Sequence, residues 1–254
     1  MPSLSQSKRL RALRRRKERR ERGEFLLEGP RVLSDVLGAG HPVTLVLYTD
    51  DAVAQPAGAA LRVRLETAGV PCELVSAEVL AEHSDTVAPQ GWVAVSPIPL
   101  WEWPVAEPGR ILVLDAIQDP GNVGTLIRAA DALGATGVVV LPGTVDPWAP
   151  KVVRAAAGST VRVPLVECAW GDARERLRES GAEIWVASAG GEQVEGEAGI
   201  ATGLALVLGN EGVGASPEVR EAADRLVAVR MRSGVDSLNV ALAGAILMDR
   251  FFGG

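Results

Sequence analysis

Polar residues suited to binding a small ligand follow apolar runs at three points in the sequence. They lie in residues 119–128 (DPGNVGTLIR), 208–214 (LGNEGVG) and 229–241 (VRMRSGVDSLNVA). Ligands of open α/β sheets bind at the carboxyl ends of the strands. Ordinary turn and capping chemistry explains each segment taken alone. Three such turns in one chain, each after an apolar strand, instead predict one shared ligand site.

The spacing of the glycines separates this site from the common nucleotide-binding loops. Residues 208–214 do not fit the G-x-G-x-x-G pattern, and no Gly-Lys-Ser/Thr sequence is present, so a nucleotide- or NAD-dependent enzyme fits poorly. His41 and His83 are the only histidines, and neither is near a Gly-rich motif. Cys72 and Cys168 are far apart in sequence. We therefore expect no histidine-based catalysis, no metal site and no disulfide.

Local chemistry also predicts how the motif residues are held. Asn122 and Ser237 each precede an apolar helical pattern, so both are expected to be helix N-caps. Arg128 follows Asn122 by six residues and could reach over the helix N-terminus, where a phosphate is also favoured. The glycines of the second motif, Gly209, Gly212 and Gly214, would let the backbone approach a ligand closely.

In their order and spacing, the three motifs resemble the signature of the SpoU/TrmH branch of the SPOUT methyltransferases, over residues 109–254. Those enzymes methylate ribose 2′-hydroxyls in RNA. The resemblance implies S-adenosyl-L-methionine as cofactor and a parallel-sheet α/β domain closed by a trefoil knot. It also implies a homodimer whose cofactor sites lie close to the subunit interface.

The resemblance assigns roles by position in the motifs. The residues implied to be catalytic are Arg128, Asn122, Glu211, Ser237 and Asn239. Those implied to surround the cofactor are Leu208, Gly209, Asn210, Gly212, Val229, Met231 and Leu238. Because arginine stays protonated in proteins, we expect Arg128 to clamp a substrate phosphate and stabilise a developing alkoxide.

Charge is concentrated at the N-terminus. The net charge is −6, yet residues 8–22 hold ten Lys/Arg against two Glu, which leaves −14 for the rest of the chain. Such a basic segment favours phosphate contact, although a solvated surface without a partner is the alternative. The residues expected to bind RNA are Arg14, Arg15, Arg16, Lys17, Arg31 and Arg154. Arg154 lies in a stretch similar to the family's R-A-S-A-G segment, where this chain has Ala156 in place of Ser.

Apolar runs and turn residues predict the organisation of the chain. We expect a basic helical arm over 1–23, a small α/β domain over 24–97, a linker over 98–108 and a second α/β domain over 109–254. The resemblance implies that the small domain binds the substrate and that the second domain is catalytic. In the last region, strands are predicted at 111–114, 137–141, 161–164, 184–187, 204–208 and 226–229. Helices are predicted at 122–133, 150–157, 173–179, 217–223 and 237–251. This alternation favours a parallel sheet covered on both faces.

The resemblance therefore implies an RNA 2′-O-ribose methyltransferase, and the basic segment with the small domain favours ribosomal RNA as its substrate. A cytoplasmic protein is expected. No apolar run reaches the roughly 20 residues that a membrane span needs, and no signal-peptide core follows the basic N-terminus. Transfer RNA is the alternative substrate, and an antibiotic-resistance methylation of ribosomal RNA stays open. A catalytically silent RNA-binding or ribosome-assembly factor on the same scaffold is the alternative function.

Overall fold

A computed structural model describes residues 2–103, 109–193, 203–232 and 237–252. The strands are β1 Glu24–Glu28, β2 Leu45–Tyr48, β3 Cys72–Leu74, β4 Trp92–Pro97, β5 Arg110–Leu114, β6 Gly137–Val140, β7 Leu165–Glu167, β8 Glu183–Glu192, β9 Leu204–Leu208 and β10 Arg225–Val227. The helices are α1 Leu4–Ala12, α2 Arg16–Arg22, α3 Pro30–Gly38, α4 Asp50–Ala54, α5 Pro56–Thr67, α6 Ala77–Ala81, α7 Pro120–Ala132, α8 Pro150–Ala156, α9 Trp170–Glu179, α10 Pro217–Glu221 and α11 Val240–Phe252. None of the helices in these ranges is both long and apolar enough to cross a bilayer.

The chain divides into two compact units, each built on its own sheet. The first unit comprises residues 1–99 together with 148–161, and the second comprises 100–147 and 162–254. Residues 148–161 contain α8, which packs against β1 of the first unit. The segment that resembles R-A-S-A-G thus folds with the N-terminal residues, although it lies within the stretch from 109 onward.

The first unit contains a four-stranded sheet in the order β1-β4-β2-β3. β4 is antiparallel to both of its neighbours, and β2 and β3 are parallel. The two N-terminal helices are part of this fold, because Leu10 and Leu13 are fully buried in its core. Arg19 is also buried, and it donates to the carbonyls of Leu13 and Arg14, at 2.8 Å in each case. The basic segment predicted over 1–23 therefore forms two helices that pack into a core. The second helix, α2, ends at Gly23, whose backbone is in the left-handed conformation.

The second unit contains a six-stranded, fully parallel sheet in the order β10-β8-β9-β5-β6-β7. Its central strands β5, β6 and β9 are buried except for Arg110 at the start of β5, as the continuous apolar runs predict. This confirms the parallel sheet and five of its predicted strands, those at 111–114, 137–141, 184–187, 204–208 and 226–229. The strand ends differ from the prediction by a few residues. The largest difference is at β8, which continues to Glu192.

One predicted strand, at 161–164, is wrong. A 3-10 helix covers Ser159–Val161, and β7 begins at Leu165, after Pro164. Proline has no N–H to give to a ladder, so the strand begins only beyond it. Over residues 24–97 the sequence predicts helices at 31–37, 57–68 and 77–83, and the structure has one further helix there, α4. This helix has five residues and is too short to show a helical period.

Two neighbouring strands bring the first two motifs together. β5 and β9 pair in parallel with Leu114 beside Leu208, so the first motif region and the second leave the sheet side by side. The chain continues from β5 to β6 on one side, while β9 lies on the other, which makes this edge a topological switch point. The third motif joins them because α11 packs on α7 and β9. A Cβ added at Gly244 would come within 2.5 Å of both Leu126 and Leu208.

Candidate functional site

A cavity of about 550 Å³ opens at the carboxyl ends of β9 and β10, beside residues 186–189 in the middle of β8. Its size is in the range of small-molecule sites, about 300–1,000 Å³. All seven residues that the resemblance assigns to the cofactor line it: Leu208, Gly209, Asn210, Gly212, Val229, Met231 and Leu238. Three of the five residues implied to be catalytic, Glu211, Ser237 and Asn239, line it as well. The fold therefore collects residues of the second and third motifs around one space.

A chain of hydrogen bonds links all three motifs at this cavity. Asn122 Nδ2 donates to Glu211 Oε1 at 3.0 Å, and Asn239 Nδ2 donates to Asn122 Oδ1 at 3.0 Å. The backbone N–H groups of Gln118 and Asp119 also point at the Glu211 carboxylate, at 3.5 Å each. Asn122 is thus both donor and acceptor between a carboxylate and an amide.

The two predicted helix caps are wrong, and the actual caps explain this arrangement. Asp119 is the N-cap of α7, accepting from the N–H of Asn122 at 2.9 Å. Asn122 therefore lies in the first turn, with its side chain available to Glu211. At α11, Asn239 Oδ1 accepts from the N–H groups of Ala241 and Leu242, at 2.9 and 3.3 Å.

Ser237 precedes that cap and does not start the helix. It is exposed and lines the cavity. Residues 233–236 of the third motif lie outside the described residues, as do residues 104–108 of the predicted linker.

Glu211 is held as a carboxylate. Its partial burial alone would raise its pKa, but hydrogen bonds from Asn122 and from backbone N–H groups, including those of Gln118 and Asp119, lower the pKa below the ordinary glutamate value. A carboxylate of this kind is a good hydrogen-bond acceptor and a weak base. It can orient a hydroxyl that donates to it, and it is poorly suited to removing a proton.

The side chain of Asn210 holds the loop of the second motif in place through hydrogen bonds to backbone groups. Its Oδ1 accepts from the N–H groups of Gly212 and Val213, at 2.9 and 3.2 Å, and its Nδ2 donates to the carbonyl of Ala116 at 3.0 Å. Ala116 has a positive φ of 57°, a conformation that is strained for alanine. Although Asn210 lines the cavity, its side chain is largely engaged in holding two loops together.

Asp115 forms a second connection between the same loops, which the sequence reasoning did not identify. It is buried directly after β5 and accepts from the N–H of Ser216 at 2.7 Å. The sequence signal was an acidic residue immediately after an apolar strand run. A buried carboxylate needs such a partner.

Gly209 is required for a reason different from the predicted one. A Cβ at this position would lie 2.0 Å from the backbone nitrogen of Ala215 and 2.3 Å from the carbonyl carbon of Gly214. The loop folds back onto its own start, and an isolated bridge between Asn210 and Gly214 closes it. The conformation of the loop itself therefore demands glycine here, independently of any ligand.

Arg128 is not part of the hydrogen-bonded chain or among the residues that line the cavity. It is exposed on α7. Six residues of helix separate it from Asn122 by about 9 Å along the axis. Its catalytic role stays a prediction.

The residues predicted to bind RNA are distributed over the first unit. Arg15 and Lys17 are 72% and 82% exposed and form loose ion pairs with Glu18 and Glu21, at 3.3 and 3.7 Å. Arg14 donates to the carbonyl of Ser84. The two remaining N-terminal candidates, Arg16 and Arg31, are exposed.

Arg154 has an internal partner. Its Nη1 is 2.8 Å from Oε2 of Glu28, a carboxylate that is 3% exposed. Glu28 also accepts from the N–H of Asp85 at 2.7 Å. Arg154 thus compensates a buried charge, and an additional contact with RNA stays a prediction.

Comparison with known proteins agrees with this geometry. Residues 109–249 match the model of the SpoU rRNA Methylase family, and residues 5–94 match the model of the MRM3-like substrate binding domain. The 23S rRNA (guanosine(2553)-2′-O)-methyltransferase RlmP of Bacillus subtilis is 32% identical over 236 residues, 93% of this chain and 91% of the relative. The 23S rRNA (uridine(2479)-2′-O)-methyltransferase of Streptomyces viridochromogenes is 32% identical over 250 residues, 92% of this chain and 84% of the relative.

A solved structure extends the similarity to three dimensions. The crystal structure of the SpoU methyltransferase AviRb from Streptomyces viridochromogenes, in complex with AdoMet, is similar with a TM-score of 0.85 and 29% identity. The match covers 97% of this chain and 96% of that one. The sequence matches and this structure, together with the three joined motifs, show that the chain belongs to the SpoU rRNA Methylase family.

Proposed function

We propose that this protein transfers the methyl group of S-adenosylmethionine to a ribose 2′-hydroxyl of ribosomal RNA. The observation that carries the proposal is the hydrogen-bonded chain Glu211–Asn122–Asn239, which joins all three motifs beside the cavity. RlmP and the Streptomyces viridochromogenes relative are both named as 23S rRNA 2′-O-methyltransferases, which favours ribosomal over transfer RNA.

The cavity fits the cofactor in size and chemistry. Apolar side chains of Leu208, Val229, Met231 and Leu238 line it and suit an adenosine, while the loop from Gly209 supplies backbone polar groups. S-Adenosylmethionine, when bound, supplies an electrophilic methyl group on a sulfonium. The residues that would hold it are the seven that the resemblance implies.

The polar residues suit the other reactant. A ribose hydroxyl is a poor nucleophile at neutral pH, so the site must orient it and stabilise alkoxide character. Ionised Glu211 accepts hydrogen bonds and can orient the hydroxyl, together with Ser237 and Asn239. Arg128, a permanent cation, acts as the clamp on the adjoining phosphate and as the stabiliser of developing negative charge.

A second copy of the chain is the partner that α11 suggests. Leu242 and Ile246 are 57% and 37% exposed and lie four residues apart, on one face of α11. Leu238, 37% exposed, precedes the N-cap of the helix. Exposed apolar rows of this kind mark interaction surfaces. Leu238 also lines the cavity, so we propose a homodimer whose interface lies beside the cofactor site.

Sedimentation velocity tests the dimer directly. The wild-type protein is expected to sediment as a dimer, and Leu242→Asp as a monomer. Val63→Asp, which alters another exposed apolar residue, 61% exposed on α5, serves as the matched control and should leave the dimer intact. A monomeric wild-type protein at micromolar concentration would refute this part of the proposal.

Three further features of the family belong to the proposal. They are the trefoil knot in residues 109–254, the division of the chain at residues 97 and 108, and a cytoplasmic location where ribosomal RNA is processed. The parallel sheet and the crossing of α11 over α7 and β9 support the first of these.

The decisive experiment is tritium transfer from labelled S-adenosylmethionine to unmodified ribosomal and transfer RNA pools. We expect label in ribosomal RNA, recovered as a 2′-O-methylribose nucleoside. The Arg128→Ala variant should reduce the rate by about a hundredfold, as loss of an oxyanion donor does. Cofactor binding without transfer to either pool would instead favour the silent RNA-binding factor, and label in transfer RNA alone would favour the alternative substrate.

A further inference from the structure

Two residues that line the cavity in the described part of the chain carry a formal charge, Glu211 and Arg220. Glu211 is engaged with Asn122 and with backbone N–H groups. Arg220 lies on α10, is exposed, and its guanidinium has no hydrogen-bond or ion-pair partner among the described residues. No sequence motif singled it out. Within the described residues, Arg220 is thus the one cation that lines the cavity, and its guanidinium has no partner there.

The backbone of Arg220 is nevertheless firmly placed. The N–H of Ser216, which precedes α10, donates to the buried carboxylate of Asp115 at 2.7 Å. Val219, the neighbour of Arg220, is fully buried in the core of the second unit. Arg220 therefore extends from a short helix that is anchored at its start and along its inner face.

We propose that Arg220 binds the α-carboxylate of the methionyl part of S-adenosylmethionine. This inference rests on the proposed function, because it concerns how the same cavity holds its cofactor. A guanidinium offers two parallel N–H donors to a carboxylate, which makes it the side chain best matched to this group. The opposite charge of Glu211 repels a carboxylate, so the two charged residues favour one orientation of the cofactor.

Arg220 accordingly determines specificity for a cofactor that retains its amino-acid carboxylate. The test measures dissociation constants by calorimetry for S-adenosylmethionine and for decarboxylated S-adenosylmethionine, which keeps the amine and the sulfonium. The variants are Arg220→Leu and Arg220→Lys. Arg174→Leu, at an exposed position on α9 that does not line the cavity, is the matched control.

For Arg220→Leu we expect S-adenosylmethionine to bind about 10- to 100-fold more weakly, as for loss of a charge-assisted hydrogen bond, and the decarboxylated form to bind unchanged. Arg220→Lys should recover part of the loss, because it restores the charge without the planar fork. Arg174→Leu should bind both ligands as the wild type does.

Three outcomes would overturn the assignment in distinguishable ways. Equal weakening of both ligands in Arg220→Leu would show a structural role for the residue. Unchanged binding of both ligands, with weaker binding of ribosomal RNA, would assign Arg220 to an RNA phosphate. If the wild-type protein bound neither ligand, the proposed function itself would fail, and the inference with it.

Discussion

Asn122 joins the two sides of the site because a carboxamide can donate and accept at the same time. It gives a hydrogen to Glu211 and accepts one from Asn239. A carboxylate at position 122 could accept from Asn239 but would face Glu211 with a like charge. The residue type is therefore dictated by its two neighbours, and the same argument applies to Asn239, which caps α11 with its oxygen.

Asn239→Asp separates the capping role from the role in the site. Aspartate is as good an N-cap as asparagine and is favoured near a helix N-terminus, so the melting temperature should stay within a few degrees of the wild type. The amide donor to Asn122 is lost, and an acceptor then faces Asn122 Oδ1. We expect methyl transfer to fall by about tenfold or more, as for loss of one well-made hydrogen bond.

Thermal unfolding and single-turnover transfer measured on one preparation check this expectation. Asn239→Ala is the comparison, because it removes the cap as well and should also lower stability, by about 1 kcal/mol. Normal transfer by Asn239→Asp would show that the hydrogen bond to Asn122 has no part in the reaction.

The lowered pKa of Glu211 predicts a specific pH dependence of stability. A group whose pKa is lower in the folded state stabilises the fold above its unfolded pKa, and the effect disappears as the pH falls through the folded pKa. At neutral pH the wild type should therefore have a higher melting temperature than Glu211→Gln. This difference in melting temperature should become smaller as the pH falls below 4.5, the ordinary pKa of glutamate. A difference in melting temperature that persists at low pH would contradict the role of the charge.

At the scale of elements, two adjacent parallel strands and one helix crossing position the site. β5 and β9 release the first and second motifs at the same sheet edge, and α11 brings Asn239 to α7. The crossing is close because Gly244 lies against Leu126 and Leu208. Packing at residue 244 is thus connected to the hydrogen bond between Asn239 and Asn122.

Gly244→Ala reverses the usual effect of alanine in a helix. At an open position the change stabilises a helix by up to about 1 kcal/mol. Here the added methyl group meets two leucine side chains at 2.5 Å, and overpacking of this kind costs about 1–3 kcal/mol. We expect a net loss of stability in urea unfolding, together with weaker binding of S-adenosylmethionine.

Gly171→Ala on α9 is the matched control, because a Cβ there meets nothing within 4 Å. That variant should be as stable as the wild type or more stable. An increase in stability for Gly244→Ala would show that α11 adjusts freely, and the proposed connection between packing and site would be lost.

At the scale of the whole molecule, charge is unevenly distributed along the chain. Residues 8–22 contain ten Lys/Arg and two Glu, a local net charge of +8, within a protein of net charge −6. Many of these cations have acidic partners. The ion pairs of Arg15 with Glu18 and of Lys17 with Glu21 are at the surface, and their N–O distances are 3.3 and 3.7 Å. Exposed pairs of this kind contribute little to stability, so these residues are free to exchange partners with phosphate.

The double variant Arg15→Ala/Lys17→Ala should weaken binding of ribosomal RNA. Each lost phosphate contact lowers the slope of log affinity against log salt by about 0.7–0.9, so we expect a decrease of about 1–2 in the slope. Filter binding over a salt series measures it, and binding of S-adenosylmethionine should stay unchanged. Arg174→Ala is the control. An unaltered salt slope would remove these two residues from the RNA contact.

The sequence by itself determined the parallel sheet and most of its strands, because apolar runs are local signals. The motif resemblance pointed to seven cofactor residues, and all seven are among the residues that line the cavity. The sequence misplaced both helix caps and the strand at 161–164, and it did not identify Asp115 or Arg220. Tertiary structure decided those points. Asp119 rather than Asn122 caps α7, Asn210 and Gly209 serve the loop's own folding, and Arg154 pairs with buried Glu28. The physical reason is that the partners of Asn122, Asn239 and Asn210 lie far away in sequence, and the pairing of β5 with β9 and the crossing of α11 bring them within reach. The packing of α8 against β1 brings Arg154 to Glu28 in the same way. The cap of α7 and the glycine at 209 depend on the exact path of a short loop, which residue types alone do not decide.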